Sequence, residues 1–258
     1  MSPAWRLGSP IGAVSAHFWD GVLRDLDPPV GRPVAVWRDA WGAGLLATIE
    51  DDEGLDLVRT PRPELAEGRR LSQTPGEVEH SITPLRRGRT ALIGTSQTQT
   101  RLLLLEGNSL VAAAVRVPGE LLSLAATPKG RIVAWVRRPE RENYALMLID
   151  VDAGSIEMLA NDGFLPPGIA PRPAVSPSTG TIYYVRADED AANPVMSLRP
   201  GEAAQVVSLG TKGHQEVAVG SYPDRRGVPQ DWLAVIAVGT DGDVANHLYV
   251  GLAPEEER

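Results

Sequence analysis

The sequence predicts an all-β fold made of one four-stranded unit repeated along the chain, and three observations predict it. Short apolar strands recur at nearly fixed spacing: those beginning at Leu45, Thr90, Ile132, Ile182 and Leu233 start 45, 42, 50 and 51 residues apart. Each follows a first short strand and precedes a third, with a shorter fourth after that, so the order of strands repeats and not merely their number. The turns between them carry the residues that tight turns need. A period in this range, with four strands per unit, is the pattern of a β-propeller blade. The expected architecture is therefore a propeller of about five four-stranded blades. The competing architecture is a β-sandwich whose spacing is coincidental.

Taken in order, residues 1–32 come first and hold two extended candidates, 13–19 and 22–26, that belong to no complete copy. The first copy, 33–72, has strands at 34–37, 45–49 and 55–58. The second, 78–117, has them at 80–83, 90–93 and 101–105. The third, 120–160, shows the pattern best, with strands at 121–125, 132–136 and 145–150 and a fourth at 155–159. The fourth copy, 172–210, places them at 173–176, 182–185 and 194–199, and the fifth, 215–252, at 217–222, 233–238 and 247–250. These runs are short, rich in aliphatic, β-branched and aromatic residues, and too brief for buried helices. Thr127-Pro128-Lys129-Gly130 and the turn from Ser176 through Pro177 to Gly180 put Pro early and Gly late, as tight turns require.

The fifth copy stops short, because after Leu252 the chain runs Ala-Pro-Glu-Glu-Glu-Arg without a fourth strand. The expectation is a single domain, residues 1–258, in which an N-terminal strand from 1–32 closes the last blade and covers its open edge. The alternatives are an open ring, a six-bladed ring in which the N-terminal hairpin starts another blade, or completion by a partner.

Composition excludes several function classes. At 258 residues the chain can bury a substantial core, and 43% hydrophobic with 22% charged residues is ordinary for a globular protein. A net charge of −8 argues against a nucleic-acid partner. With no cysteine there is no disulfide framework, thiolate metal site or thiol nucleophile. The first residues lack a basic segment followed by a continuous apolar stretch, and no apolar run approaches a membrane span, so a soluble cytoplasmic protein with no membrane association is expected.

No catalytic constellation stands out. There is no Gly-x-Ser-x-Gly and no glycine-rich phosphate loop, and His17, His80, His214 and His247 lie in different parts of the repeat, never at metal-ligand spacing. Of the four, His214 is the candidate with most interest, since it lies between copies. Propeller hydrolases need two carboxylates at a controlled separation facing the centre. In the first strands as placed above, the one acidic residue is Asp39, just past the first of them. Residues 240–246 have an Asp-x-Asp spacing but lack the distal Glu of a calcium loop, and read as a hairpin turn. No catalytic residue, metal or cofactor is assigned.

Charge is distributed more tellingly. Turns between second and third strands carry Asp51, Asp52 and Glu53 in one copy and Asp188, Glu189 and Asp190 in another. Turns between first and second strands carry Arg86 and Arg87, Lys129 and Arg131, and Arg225 and Arg226. In a propeller these two sets occupy opposite rims, so an acidic and a basic face are expected, which would orient a partner on encounter. Phe164 and Leu165, on the long Pro-stiffened stretch 160–172, are candidate apolar anchors.

The repeat resembles the blades of TolB-like and WD40-like propellers over residues 33–252. The resemblance rests on 173–185, Pro-Ala-Val-Ser-Pro-Ser-Thr-Gly-Thr-Ile-Tyr-Tyr-Val, on 126–135, Ala-Thr-Pro-Lys-Gly-Arg-Ile-Val-Ala-Trp, and on the exit Asp150-Val151-Asp152-Ala153-Gly154. Both turns lack the Asp that the family's Ser-Pro-Asp-Gly turn carries, and Trp19-Asp20 is the sole Trp-Asp pair. The resemblance implies the propeller fold and, since such propellers serve mostly as interaction platforms, a non-enzymatic adaptor or scaffold subunit of a bacterial complex with one or more protein partners. The rival expectations are a ligand-binding or enzymatic propeller using the central channel, and a regulatory propeller for a hydrolase on a separate chain.

Overall fold

Short runs of aliphatic, β-branched and aromatic residues make strands throughout the described residues. The computed structural model is all-β, and its one helical element among the described residues is a 3-10 turn at Arg86–Gly88. The structure describes residues 4–8, 15–19, 23–26, 32–38, 45–51, 54–60, 68–72, 77–97, 99–138, 144–163, 172–186, 193–207, 209, 213–238 and 246–253.

Contacts divide the chain into two compact units, Met1–Ala113 and Ala114–Arg258. The first unit opens with β1 (Ala4–Gly8), β2 (Ser15–Trp19) and β3 (Leu23–Leu26), an antiparallel sheet in which Ala4 pairs with Trp19 and Ala16 with Leu26. The described N-terminal residues therefore fold as a three-stranded meander, where the sequence offered two extended candidates, 13–19 and 22–26. Antiparallel pairing lets the three short strands satisfy part of one another's backbone groups locally. Next come β4 (Arg32–Arg38), β5 (Leu45–Asp51), β6 (Gly54–Thr60) and the short β7 (Arg69–Arg70), then β8 (Val78–Pro84), β9 (Thr90–Thr95), β10 (Thr100–Glu106) and β11 (Ser109–Ala112). One parallel pair, Leu55 with Val78, joins these two meanders into a single sheet. Leu46, Leu57, Ile82, Leu92, Leu103 and Leu105 form the core between them.

The second unit holds β12 (Glu120–Ala126), β13 (Ile132–Arg137), β14 (Tyr144–Asp150) and β15 (Ser155–Gly163), then β16 (Ala174–Val175), β17 (Ile182–Val185), β18 (Val195–Leu198) and β19 (Gln205–Val206), and last β20 (His214–Pro223), β21 (Pro229–Val238) and β22 (Asn246–Leu252). The sheets stack face to face. Val133, Trp135, Leu146 and Leu148 pack on Ile182, Tyr184, Met196 and Leu198. The opposite face of β17 and β18, Tyr183, Val185 and Val195, packs on Val217, Leu233 and Val235. That double packing explains why β17 and β18 are apolar at nearly every position where a half-exposed strand would alternate. Trp135 and Tyr184 meet edge to face at the first of these interfaces, ring centroids 5.6 Å apart.

Candidate functional site: the last sheet and a buried carboxylate row

β20 and β21 are the longest strands among the described residues, ten residues each, and their hairpin runs past the turn of the preceding sheet. One face of β21, Leu233, Val235 and Ala237, is buried. The other face carries Trp232, Ala234 and Ile236, paired in register with Leu252, Val250 and Leu248 of β22. On β22 this second face is open: Leu248 is 68% exposed, Val250 64% and Leu252 50%. Of the ten large apolar side chains exposed among the described residues, seven belong to this sheet and its hairpin turn: Tyr222, Val228, Trp232, Leu248, Tyr249, Val250 and Leu252. Full burial of each such side chain stabilises by roughly 1.5–3 kcal/mol, so the sheet leaves a large unrealised hydrophobic term facing solvent. Among the described residues of its unit, β22 pairs with β21 alone, whereas the two preceding sheets have four strands.

The tip is held rigidly. Asp224 Oδ1 accepts the backbone N–H of Arg226 at 2.7 Å and of Val228 at 2.8 Å, and Asp224 N–H donates to Val228 O at 2.8 Å. Gly227 completes the turn at φ 81°, the left-handed region that glycine adopts without steric cost. Arg225 and Arg226 point out from this turn, exposed, beside Tyr222 and Val228.

Sequence reasoning missed a second constellation, in the first unit. β8 is preceded by Glu77 and carries Glu79, and both are buried, Glu79 completely. Arg101 grips the Glu77 carboxylate with two bonds, Nε to Oε1 at 2.7 Å and Nη2 to Oε2. That pairing holds Arg101 above the usual guanidinium range, through the hydrogen bond to Glu77 first of all. Gly94 lies beneath the pair, and a side chain there would collide with the Glu77 carboxylate. Asp56, also buried, pairs with Arg70 at 2.7 Å. Neither oxygen of Glu79 makes a hydrogen bond of good geometry. Burial pushes its carboxyl up to about 7; Glu77 and Asp56 add to the rise, while the nearby Ser72 hydroxyl opposes it. Ser72 Oγ itself accepts the Leu57 N–H at 2.8 Å. The expectation that first strands carry no carboxylate beyond Asp39 is thus corrected. β8, β12 and β20 extend further than the apolar runs suggest and include Glu79, Glu120 and Glu216. Among the described residues no three His, Cys, Asp or Glu stand close enough together to hold a metal ion.

The remaining expected site residues are scattered. Arg86 and Arg87 form the exposed 3-10 turn between β8 and β9, with Arg87 at φ 60°, in the first unit; Arg225 and Arg226 belong to the second. Asp51 ends β5, and only its backbone is described. Asp52, Glu53, Phe164, Leu165, Asp188, Glu189, Asp190, Asp39 and residues 240–245 lie outside the described residues. An antiparallel meander puts the turn between its third and fourth strands at the same end as the turn between its first and second. Asp150 and Asp152 therefore share an end with Lys129 and Arg131, which dilutes the basic face expected there. His214 is buried, its Nδ1 2.7 Å from Asn193 O, a structural role. No helix among the described residues is long and apolar enough to cross a membrane.

No family model matches the chain, and a search of curated proteins finds no match either. Solved structures do match. The chain is similar to TolB from Acinetobacter baumannii, with a TM-score of 0.60 at 11% identity over 98% of this chain and 64% of that one. It is also similar to a puromycin-hydrolyzing peptidase of Mycobacterium tuberculosis, TM-score 0.61 at 13% identity over 95% of this chain and 42% of that one. A virginiamycin B lyase from Staphylococcus aureus matches with a TM-score of 0.55 at 10% identity, over 95% of this chain and 78% of that one. The chain spans under two thirds of the length of TolB and under half of the peptidase. These likenesses establish a β-propeller-type fold and nothing of the chemistry, since the same fold hosts unrelated activities.

Proposed function

We propose that the chain is a non-enzymatic propeller subunit that docks on a protein partner through its last sheet. The observation carrying this reading is the concentration of exposed large apolar side chains on β20–β22. Contiguous apolar surface of this kind, rimmed by polar residues, marks an interaction site. The partner is a protein surface that sets acidic side chains beside an apolar patch, because Arg225 and Arg226 flank Tyr222 and Val228 at the tip. Tyr and Arg are among the residue types that dominate interface energies, and the turn fixed by Asp224 limits the ordering cost on binding. The same reading makes a blade of each of the six meanders, residues 4–26 being the first. Its support is the repeated antiparallel order of the sheets.

The test is affinity capture from cell lysate with the wild type and with a Tyr222→Ala, Arg225→Glu, Arg226→Glu variant, using Arg86→Glu, Arg87→Glu as the charge-matched control. The reading expects one protein retained by wild type and control and lost by the tip variant. Rebinding of that purified protein should weaken as salt rises. Retention by the tip variant overturns it. So does concentration-dependent self-association abolished by Val250→Asp, which would make a second copy the occupant. A partner-free loss of stability of about 1 kcal/mol or more in Val250→Ser also overturns it, because surface substitutions away from packing stay within about 0.5 kcal/mol.

A further inference from the structure

Among the described residues, the row around Glu79 sets three buried carboxylates, Asp56, Glu77 and Glu79, against two partly exposed guanidiniums, Arg70 and Arg101. Arg70 bonds Asp56, and Arg101 bonds Glu77 while also feeling the charge of Glu79. Glu79 is the third carboxylate, fully buried, with Ser72 as the neighbouring hydroxyl. Its neighbour along β8, His80, bonds Thr95 Oγ1 through Nε2 at 2.9 Å. A buried ionised carboxylate without a cation of its own is costly, and a proton removes the cost. Val78, between Glu77 and Glu79, makes with Leu55 the one backbone pairing that joins the meander β4–β7 to the meander β8–β11.

We propose that Glu79 is a proton-operated latch on the junction between β6 and β8. Protonated, it completes an electrically neutral row of two ion pairs and one carboxylic acid, and the Leu55–Val78 pairing is held. Ionised, it adds a third negative charge beside Glu77 and Asp56, with Arg101 then shared between Glu77 and Glu79, and the junction loosens. A site that the partner-docking surface does not use thereby ties the cohesion of the first unit to pH.

The sign follows from linkage. The folded chain keeps the Glu79 proton up to about 7, while an ordinary glutamate releases it near 4.5. Between those values the closed state holds a proton that the open state lacks, so the junction weakens as pH rises and levels off above about 7. Amide exchange on the wild type, corrected for intrinsic rate, should show protection at Leu55 and in β8 falling up to about tenfold per pH unit between 5 and 7, then levelling. In Glu79→Gln the same amides should show level protection, and the thermal midpoint of the wild type should drop relative to the variant across that window. The four histidines are common to both proteins and cancel in the difference. Parallel midpoint curves overturn the latch. If Glu79→Gln does not fold, the wild-type exchange decides alone, and pH-independent protection at Leu55 and β8 overturns it.

Discussion

Asp231 Oδ1 accepts a hydrogen bond from Ser176 Oγ at 2.6 Å, tying β21 of the last sheet to the turn of the sheet before it. The same carboxylate accepts from Ser178 at 3.3 Å, Thr179 at 3.2 Å and the Tyr183 hydroxyl at 3.3 Å. Ser176 Oγ also accepts the N–H of Ser178 and of Thr179, so one hydroxyl organises the turn while its proton anchors it to the neighbouring sheet. The turn from Ser176 to Gly180 lacks the acidic residue usual in its type. Here the carboxylate comes from 55 residues away.

Removing that carboxylate by Asp231→Ala takes from the buried Ser176 hydroxyl its 2.6 Å acceptor, while Ser178 is exposed to water and Thr179 keeps Thr181 Oγ1 as an acceptor at 2.9 Å. The expected cost is about 1–3 kcal/mol, since an orphaned buried donor loses its full desolvation compensation. Urea unfolding should show a lower midpoint with little change in slope. Ser178→Ala, an exposed contributor, should cost far less.

Trp135 is fully buried, and its Nε1 finds no acceptor. Trp135→Phe therefore removes no hydrogen bond but leaves a small cavity, and should cost about 1–3 kcal/mol, less than full truncation. Trp135→Ala opens a cavity against Tyr184 and should cost about 3–5 kcal/mol. Thermal unfolding of the two variants checks the ratio, and equal losses would contradict this packing.

Gly94 has no room for a methyl group, because the Glu77 carboxylate that pairs with Arg101 lies over it. Gly94→Ala should displace the Glu77 carboxylate and the Leu103 methyl and cost about 1–3 kcal/mol, the scale of overpacking. Arg101→Met in the Gly94→Ala background should then add little, the two changes being coupled through one contact. Denaturant midpoints of the double-mutant cycle measure this directly.

The strands of the repeat were legible because an apolar run such as Ile132–Val136 has only one way to be buried at that length. The Asp231 clamp was not, because its donors and acceptor lie in different sheets and no local pattern links them. Glu77-Val78-Glu79 reads as a polar, solvent-facing approach to β8. What buries it is nonlocal, the neighbouring β6 and β7 and the Arg101 side chain. A sequence signal did exist in the spacing of Glu77 and Glu79, two apart and so on one side of an extended segment, with Gly94 and Arg101 aligned opposite Glu79 across β9 and β10. The exposure of the last sheet's apolar face was not legible. It depends on what stacks against that face, which the alternation of Trp232, Ala234 and Ile236 does not state.

The most direct measurement is hydrogen exchange of the protein alone and in complex with the protein it captures. The account predicts new protection confined to residues 220–230 and 246–252, the tip and outer strand of the last sheet. Protection confined to other regions, with these residues exchanging as fast as in the free chain, would contradict it.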